Sequence, residues 1–346
     1  MTKIKQSNIF PKTRYQGSKY KLRDWIKNNI KDLKYETVID AFSGTSSIGY
    51  IFKELNKTVY SNDFLHFNYE ISKAIIENSQ EKINEDDITK ILSKKDGFKY
   101  FNFIEETFKD IYYTHEENIW LDIVSQNIFN LDNKYKQSML YWALYQSCLA
   151  KRPYNLFHRK NLYVRTANVK RNFGNKTTWD KPFEEHFRKF VKEINSAIFN
   201  NKKPNKAYCC DIFDLNIEAD LVYIDTPYIP SNGTLTLYSE FYHFLEGLTD
   251  YPNWKNNIDF NSKNKKFKKI YSIWEDKNNI LSAFEKLIEK FKKSTLIISY
   301  RDDGIPSINE IINILLFKNK KVRIETIKYK YVFSKKESKE VLIISE

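Results

Sequence analysis

At 346 residues with 41% apolar side chains, the chain is long enough to bury a sizeable core, and global disorder is excluded. Lys and Arg outnumber Asp and Glu 57 to 44, a formal charge of +13, which either draws in a polyanion or only keeps the protein soluble. The three cysteines are wrongly spaced for a disulfide framework or zinc knuckle. The histidines form no HxxxH or HExxH pair, and no apolar run approaches the ~18 residues of a membrane span. The start MTKIKQSNIF carries no signal-peptide segment. No metal, no membrane and a reducing, cytoplasmic location are therefore the expectations.

Taken in order, the first signal is RYQGSKYKL at 14–22, a basic turn before an amphipathic helix around Arg23–Leu33. Gly17 and Ser18 permit a tight turn or a close approach to a ligand, and Lys19 sets a cation beside it. Thr37–Phe42 reads as a strand, followed by the glycine turn SGTSSIG and a helical IGYIFKEL, the opening βα unit of a doubly wound sheet. The loop is neither GxGxxG nor a P-loop. A second strand, Thr58–Asn62, ends at Asp63, 19 residues after Gly44, where an acid takes a ribose diol or serves as a helix cap.

Residues 64–150 read mainly as helices, with 132–150 apolar enough to be buried. The stretch 151–176 then holds eight Lys or Arg and no acid, interleaved with Tyr154, Phe157, Tyr163 and Phe173. Such a run is either a solvated face or a nucleic-acid contact segment. After a helix near 181–200, a strand at Lys206–Cys210 leads to Asp211. Residues 238–248 read as a helix carrying His243. Residues 251–270, with six Lys and one Asp, read as a flexible loop suited to phosphates. A helix near 277–293, the strand STLIISY, a helix near 307–317 and two antiparallel runs close the chain.

Within this order LVYIDTPY at 221–228 is the chemical centre. Val and Ile make a buried strand, and Pro227 ends it. Asp225, the Thr226 carbonyl and the Tyr228 ring then stand at a strand's carboxyl end, where open α/β sheets bind ligands. Carboxylate, carbonyl and ring together suit a planar amine. They serve adenine, cytosine N4 or an RNA base alike, and a catalytically silent DNA-binding protein is the alternative from another class.

RYQGSK, DAFSGTSSIG, Asp63, Asp211 and DTPY, in this order, resemble the motifs of the D12 class (Dam-like) of N6-adenine DNA methyltransferases, over residues 12–346. The resemblance implies an α/β, Rossmann-like methyltransferase sheet, mostly parallel with a C-terminal antiparallel hairpin. It assigns 1–65 and 201–346 to the catalytic domain and 66–200 to an inserted, helical DNA-recognition domain. It implies a site-specific enzyme moving a methyl group from S-adenosylmethionine to the N6 amine of a flipped adenine in double-stranded DNA. The setting would be restriction–modification or similar marking, with a cognate restriction endonuclease as partner.

Carried over by residue, the resemblance implies a catalytic set of Asp225, Thr226, Pro227 and Tyr228. Cofactor contacts fall at Tyr15, Gly17, Lys19, Asp40, Phe42, Gly44, Asp63, Asp211, Ile212 and Asp225. The acid-free stretch 151–176 and the lysines of 251–270 place the expected DNA contacts at Arg152, Arg159, Arg165, Asn168, Arg171, Lys176, Lys265 and Lys266. Three departures stand out: Thr226 for the first proline of DPPY, Cys210-Asp211-Ile212 for Gly-Asp-Phe, and Ser46 for the second glycine of FxGxG.

Overall fold

A computed structural model of the chain describes residues 9–169, 176–231, 237–329 and 338–346. These divide into two compact units. One is a sheet unit of Gln16–Ser72, Asn201–Leu237 and Ile270–Glu346. The other is a helical unit holding the described residues of Met1–Tyr15, Lys73–Asn200 and Tyr238–Lys269.

In the sheet unit the strands are β1 (Thr37–Asp40), β2 (Thr58–Asp63), β3 (Lys206–Cys209), β4 (Leu221–Ile224), β5 (Ile229–Pro230), β6 (Thr295–Arg301), β7 (Gly304–Ile305), β8 (Val322–Tyr329) and β9 (Ser338–Ser345). Seven of them form one sheet in the order β3-β2-β1-β4-β6-β9-β8. The first five of that row run parallel, and β9 is antiparallel to both β6 and β8. Parallel strands covered on both faces read as unbroken apolar runs, and all four residues of β4 are buried. On one face Ile39, Val222, Ile224, Leu296 and Ile298 meet Phe284 and Leu287 of the helix Ile280–Lys290. Each such side chain contributes roughly 1.5–3 kcal/mol on burial. On the other face Phe52, from the helix Ser47–Glu54, meets the Tyr223 ring edge-on at 6.3 Å. Edge strand β8 carries Arg323, Glu325 and Lys328, charges that discourage pairing with a further strand.

The order reverses between β1 and β4, so their carboxyl ends border the crevice in which open sheets bind ligands. Beyond β4, the chain is pinned by a two-stranded ribbon that pairs Ile229 with Ile305 and Pro230 with Gly304. Gly304 is required here: a Cβ would stand 2.5 Å from the Tyr300 ring, whose hydroxyl donates to the Ile305 carbonyl at 2.7 Å.

In the helical unit the helix Lys134–Ala150 is buried all round from Gln137 onward, its polar Gln137, Ser138, Gln146 and Ser147 included. The amphipathic helix Phe183–Ala197 packs on it, with Phe190 edge-on to Trp142 at 6.1 Å. Two expectations need correction. The helix at 238–248 is two, Tyr238–Phe241 and His243–Thr249. Residues 251–270 are no flexible loop: Trp254 is fully buried, its indole lying where a Cβ on Gly247 would stand at 1.9 Å, and Ile258 bridges to Phe267. Lysine content hid the anchors Trp254, Ile258 and Phe267. The unit bounds also differ from those expected, since Tyr238–Lys269 groups with the helices and 66–72 with the sheet. His243 is buried between the Tyr112 hydroxyl (2.8 Å) and the Phe157 carbonyl, and burial pushes its pKa down to about 3. It is a neutral core residue.

Candidate active site

Carboxylates line the carboxyl edge of the sheet. Asp40 ends β1 and is 1% exposed, its carboxylate accepting the Gly49 N–H at 2.9 Å. Burial raises its pKa to about 8, with the Gly49 bond opposing and the charges of Asp225 and Asp63 adding. Asp40 thus fastens the first turn of the following helix from beneath, rather than presenting a surface to a ligand. Between them the loop turns left-handed twice, at Gly44 (φ 49°) and Ser46 (φ 56°). The second is the position where the related motif carries glycine. Ser46 holds that conformation through its Oγ, 2.7 Å from Ser72 Oγ, which also meets Ser43 Oγ at 2.9 Å. A non-glycine residue in this region costs about 1–2 kcal/mol, comparable to what a buried hydrogen bond returns.

Asp63 closes the loop. One carboxylate oxygen accepts the Gly44 N–H at 2.8 Å, and the other accepts from Leu65 N (3.0 Å) and Asn68 Nδ2 (3.2 Å). The first motif joins the same loop: Gly17 has φ 85°, which demands glycine, and Ser18 Oγ meets Thr45 Oγ1 at 3.1 Å. Asp211 follows β3, accepting the Phe213 N–H at 2.9 Å. Ile212 is 3% exposed and belongs to the core, a correction to its expected cofactor contact. The Phe213 ring stacks on Trp274 at 5.9 Å, and Trp274 meets Phe42 edge-on at 5.1 Å. Trp274 was not anticipated; the short 3₁₀ turn that carries it has no sequence signature. Tyr15 falls in the helical unit, stacked on Tyr242 at 4.6 Å.

At the end of β4, Asp225 Oδ1 is 3.1 Å from Lys19 Nζ, which also lies 2.9 Å from the Glu340 carboxylate on β9. Glu340 in turn accepts from Ser299 Oγ at 2.7 Å. The Asp225 side chain is 20% exposed. Burial pushes its pKa up to about 6, against Lys19 and with Glu340. Lys19 is therefore the ion-pair partner of the DTPY carboxylate, a pairing that no sequence spacing reveals across 206 residues. Tyr228 accepts from Arg301 Nη1 at 3.1 Å, the guanidinium carbon lies 4.8 Å from its ring centre, and Asp303 grips that guanidinium through both oxygens at 2.7 and 2.6 Å.

Thr226 is buried and its hydroxyl finds no partner among the described residues. The side chain thus contributes no polar contact, which fits a position where proline is usual. Thr226→Val removes an unsatisfied hydroxyl at constant shape, so it is expected to leave turnover unchanged and raise unfolding stability by about 1 kcal/mol in a denaturant titration.

The basic segment resolves into two kinds of residue. Arg152 and Arg165, expected to contact DNA, are 1% and 5% exposed. Arg152 donates to the carbonyls of Leu156 (3.1 Å) and Arg159 (3.2 Å) and stacks over the Tyr112 ring at 4.3 Å. Arg165 forks onto Glu117 at 2.9 and 2.7 Å, beside Lys151 at 2.8 Å from the same carboxylate. Both are internal staples, a correction to the sequence reading, which could not see that Glu117 supplies the missing acid. Arg159 and Asn168 are exposed, as is Tyr154 at 56%, which is held left-handed with Asn155 (φ 63° and 56°). Lys176 is exposed and paired with Asp180; Lys265 and Lys266 are half-buried, the latter on Glu240 at 2.7 Å. Arg171 lies outside the described residues. No group of three or more potential metal ligands occurs among the described residues, and none of their helices is long and apolar enough to cross a membrane.

A mostly parallel seven-stranded sheet with an antiparallel final pair carries DTPY at the carboxyl edge of its central strands. The profile of the D12 class N6 adenine-specific DNA methyltransferase family matches residues 15–296, and the chain belongs to that family. It is 30% identical over 341 residues to the Type II methyltransferase M2.HphI of Haemophilus parahaemolyticus, covering 96% of this chain and 95% of that one. It is 24% identical to the Type II methyltransferase M.NlaIII of Neisseria lactamica over 86% of each chain. It is also 29% identical to the modification methylase StsI of Streptococcus sanguinis, where 87% of this chain spans 46% of that protein. The protein is accordingly a site-specific DNA methyltransferase.

Proposed function

We propose that the methyl donor is S-adenosylmethionine and that Asp225, the Thr226 carbonyl and Tyr228 activate an adenine N6 amine. The observation that carries this reading is the Asp225 carboxylate, partly exposed at the end of β4 beside the point where the strand order reverses. The donor set fits the cofactor: Asp63, Asp211 and the partly exposed Asp225 at the sheet's carboxyl edge suit a cation and disfavour a phosphate. Asp63 would hold the ribose diol, Phe42 and the left-handed Gly44 would face the nucleoside, and Asp211 would take its amine. When bound, the cofactor supplies an electrophilic methyl group on a sulfonium that leaves as a neutral thioether.

The chain's own part is positioning and charge. The exocyclic nitrogen's lone pair is delocalised into the purine ring, so it attacks poorly. Acceptance of one N–H by Asp225 and the other by the Thr226 carbonyl draws that nitrogen towards sp³ and directs its lone pair at the methyl carbon. The base must leave the duplex to reach these groups, and the half-buried Tyr228 ring beside Arg301 would be its stacking partner. Asp225 must be ionised to accept, so the acid limb of kcat/KM is expected near pH 6, where its raised pKa lies.

Asp63→Ala should weaken S-adenosylmethionine binding at least about tenfold by calorimetry; unchanged affinity would remove the ribose contact. For DNA, the exposed Arg159 and Asn168 on a segment stapled by Arg152 support a contact surface. Arg159→Ala is expected to lower duplex affinity and to reduce the salt slope by about one unit. The type II relatives support a restriction–modification setting with a cognate endonuclease.

A further inference from the structure

Lys19 stands between two carboxylates, Asp225 at 3.1 Å and Glu340 at 2.9 Å, with Glu340 fully buried and Lys19 5% exposed. A glutamate removed from water is strongly disfavoured unless it is compensated. The antiparallel strand β9 brings it here regardless, from a position 115 residues beyond Asp225. Its carboxylate is oriented by Ser299 Oγ at 2.7 Å on the neighbouring strand β6. Among the described residues, titratable groups near this trio include Tyr223, Tyr228, Tyr329 and Asp40. Burial keeps Tyr223 and Tyr329 above their ordinary range and so neutral, and it lifts Asp40 to about 8.

One ammonium shared by two carboxylates leaves the trio one negative charge in excess. Were Lys19 paired with Asp225 alone, the carboxylate would be neutralised and one of its lone pairs held when an amine N–H arrived. We propose that Glu340 is a positioning residue for methyl transfer, sharing the Lys19 ammonium and taking it up as the adenine amine is seated, so that Asp225 accepts the amine's N–H as a full anion. Glu340 touches neither base nor cofactor; it acts through Lys19. The proposal deepens the assignment of Asp225 above and rests on it.

Glu340→Gln keeps the shape and the Ser299 partner but removes the charge. Lys19 then stays on Asp225, and loss of a neighbouring anion lowers the Asp225 pKa. The expected result is a kcat at least about tenfold lower, duplex and S-adenosylmethionine affinities within about twofold, and an acid limb of kcat/KM moved to lower pH. Glu340→Asp, which restores the charge, should return the limb to its wild-type position. Should Glu340→Gln not fold, Ser299→Ala loosens the Glu340 carboxylate, and kcat should fall severalfold at unchanged KM. Wild-type kcat and pH profile in Glu340→Gln, or in Ser299→Ala where that is the variant read, would overturn the proposal. So would a lowered kcat with an unmoved acid limb, the mark of a merely structural role. An inert Asp225→Ala beside a wild-type Glu340→Gln removes Glu340 alone; turnover by Asp225→Ala removes both assignments.

Discussion

Asp225→Ala is expected to lose methyl transfer by at least about two orders of magnitude while DNA binding persists. The size of the effect follows from what the carboxylate does. It meets an N–H whose acidity rises as the nitrogen gains positive character, so its hydrogen bond strengthens on the way to the transition state and contributes to kcat rather than KM. The persistence of binding follows from the ion pairs. Lys19 keeps Glu340 at 2.9 Å when Asp225 is gone, so the substitution leaves no buried ammonium uncompensated. Single-turnover methyl transfer together with duplex binding checks both halves, and wild-type-like turnover would contradict the assignment.

Glu117→Ala is expected to cost about 3–5 kcal/mol of stability, the range for breaking a buried ion pair from one side. Glu117 does three things at once. It closes a capping box by accepting the Thr114 N–H at 2.9 Å, it forks Arg165, and it pairs with Lys151. Without it, two cations that are 5% and 2% exposed face each other. Glu116→Ala, one residue away and exposed, should leave the denaturant midpoint close to that of the wild type. Burial alone would raise the Glu117 pKa, but the bonds and charges of Arg165 and Lys151 outweigh it and hold the group below its ordinary value. Its contribution is therefore present above the unfolded-state value near pH ~4 and is lost as pH falls through the folded-state value. Denaturant titrations at neutral and acid pH measure both, and equal losses for Glu117→Ala and Glu116→Ala would contradict the role. Arg165→Ala, by the same reasoning, should destabilise the helical unit.

These two residues also show what the sequence could and could not convey. Asp225 was legible because its neighbours specify its setting: Val and Ile end a buried strand, and Pro227 stops the ladder. Gly44, Asp63 and the final hairpin were legible for similarly local reasons. Glu117 and Glu340 were not, because each meets its partner across a large separation in sequence and no local pattern encodes a long-range ion pair. The same blindness made Arg152 and Arg165 look like nucleic-acid contacts: a segment without acids reads as a free basic surface until a distant carboxylate or backbone carbonyl is folded onto it. Conversely, the lysines of 251–270 masked Trp254 and Phe267, whose burial gives that segment its structure. Ser46 lies between these cases. The sequence marked it as a departure, and the geometry supplies the reason, a left-handed residue held by Ser72.

The central claim, transfer to the adenine N6 amine through Asp225, is tested most directly by nucleoside analysis of plasmid incubated with the protein and S-adenosylmethionine carrying a labelled methyl group. The account predicts label in N6-methyladenine, confined to one sequence context and absent when Asp225→Ala replaces the wild type. Label in N4-methylcytosine, or no label in DNA at all, would contradict it.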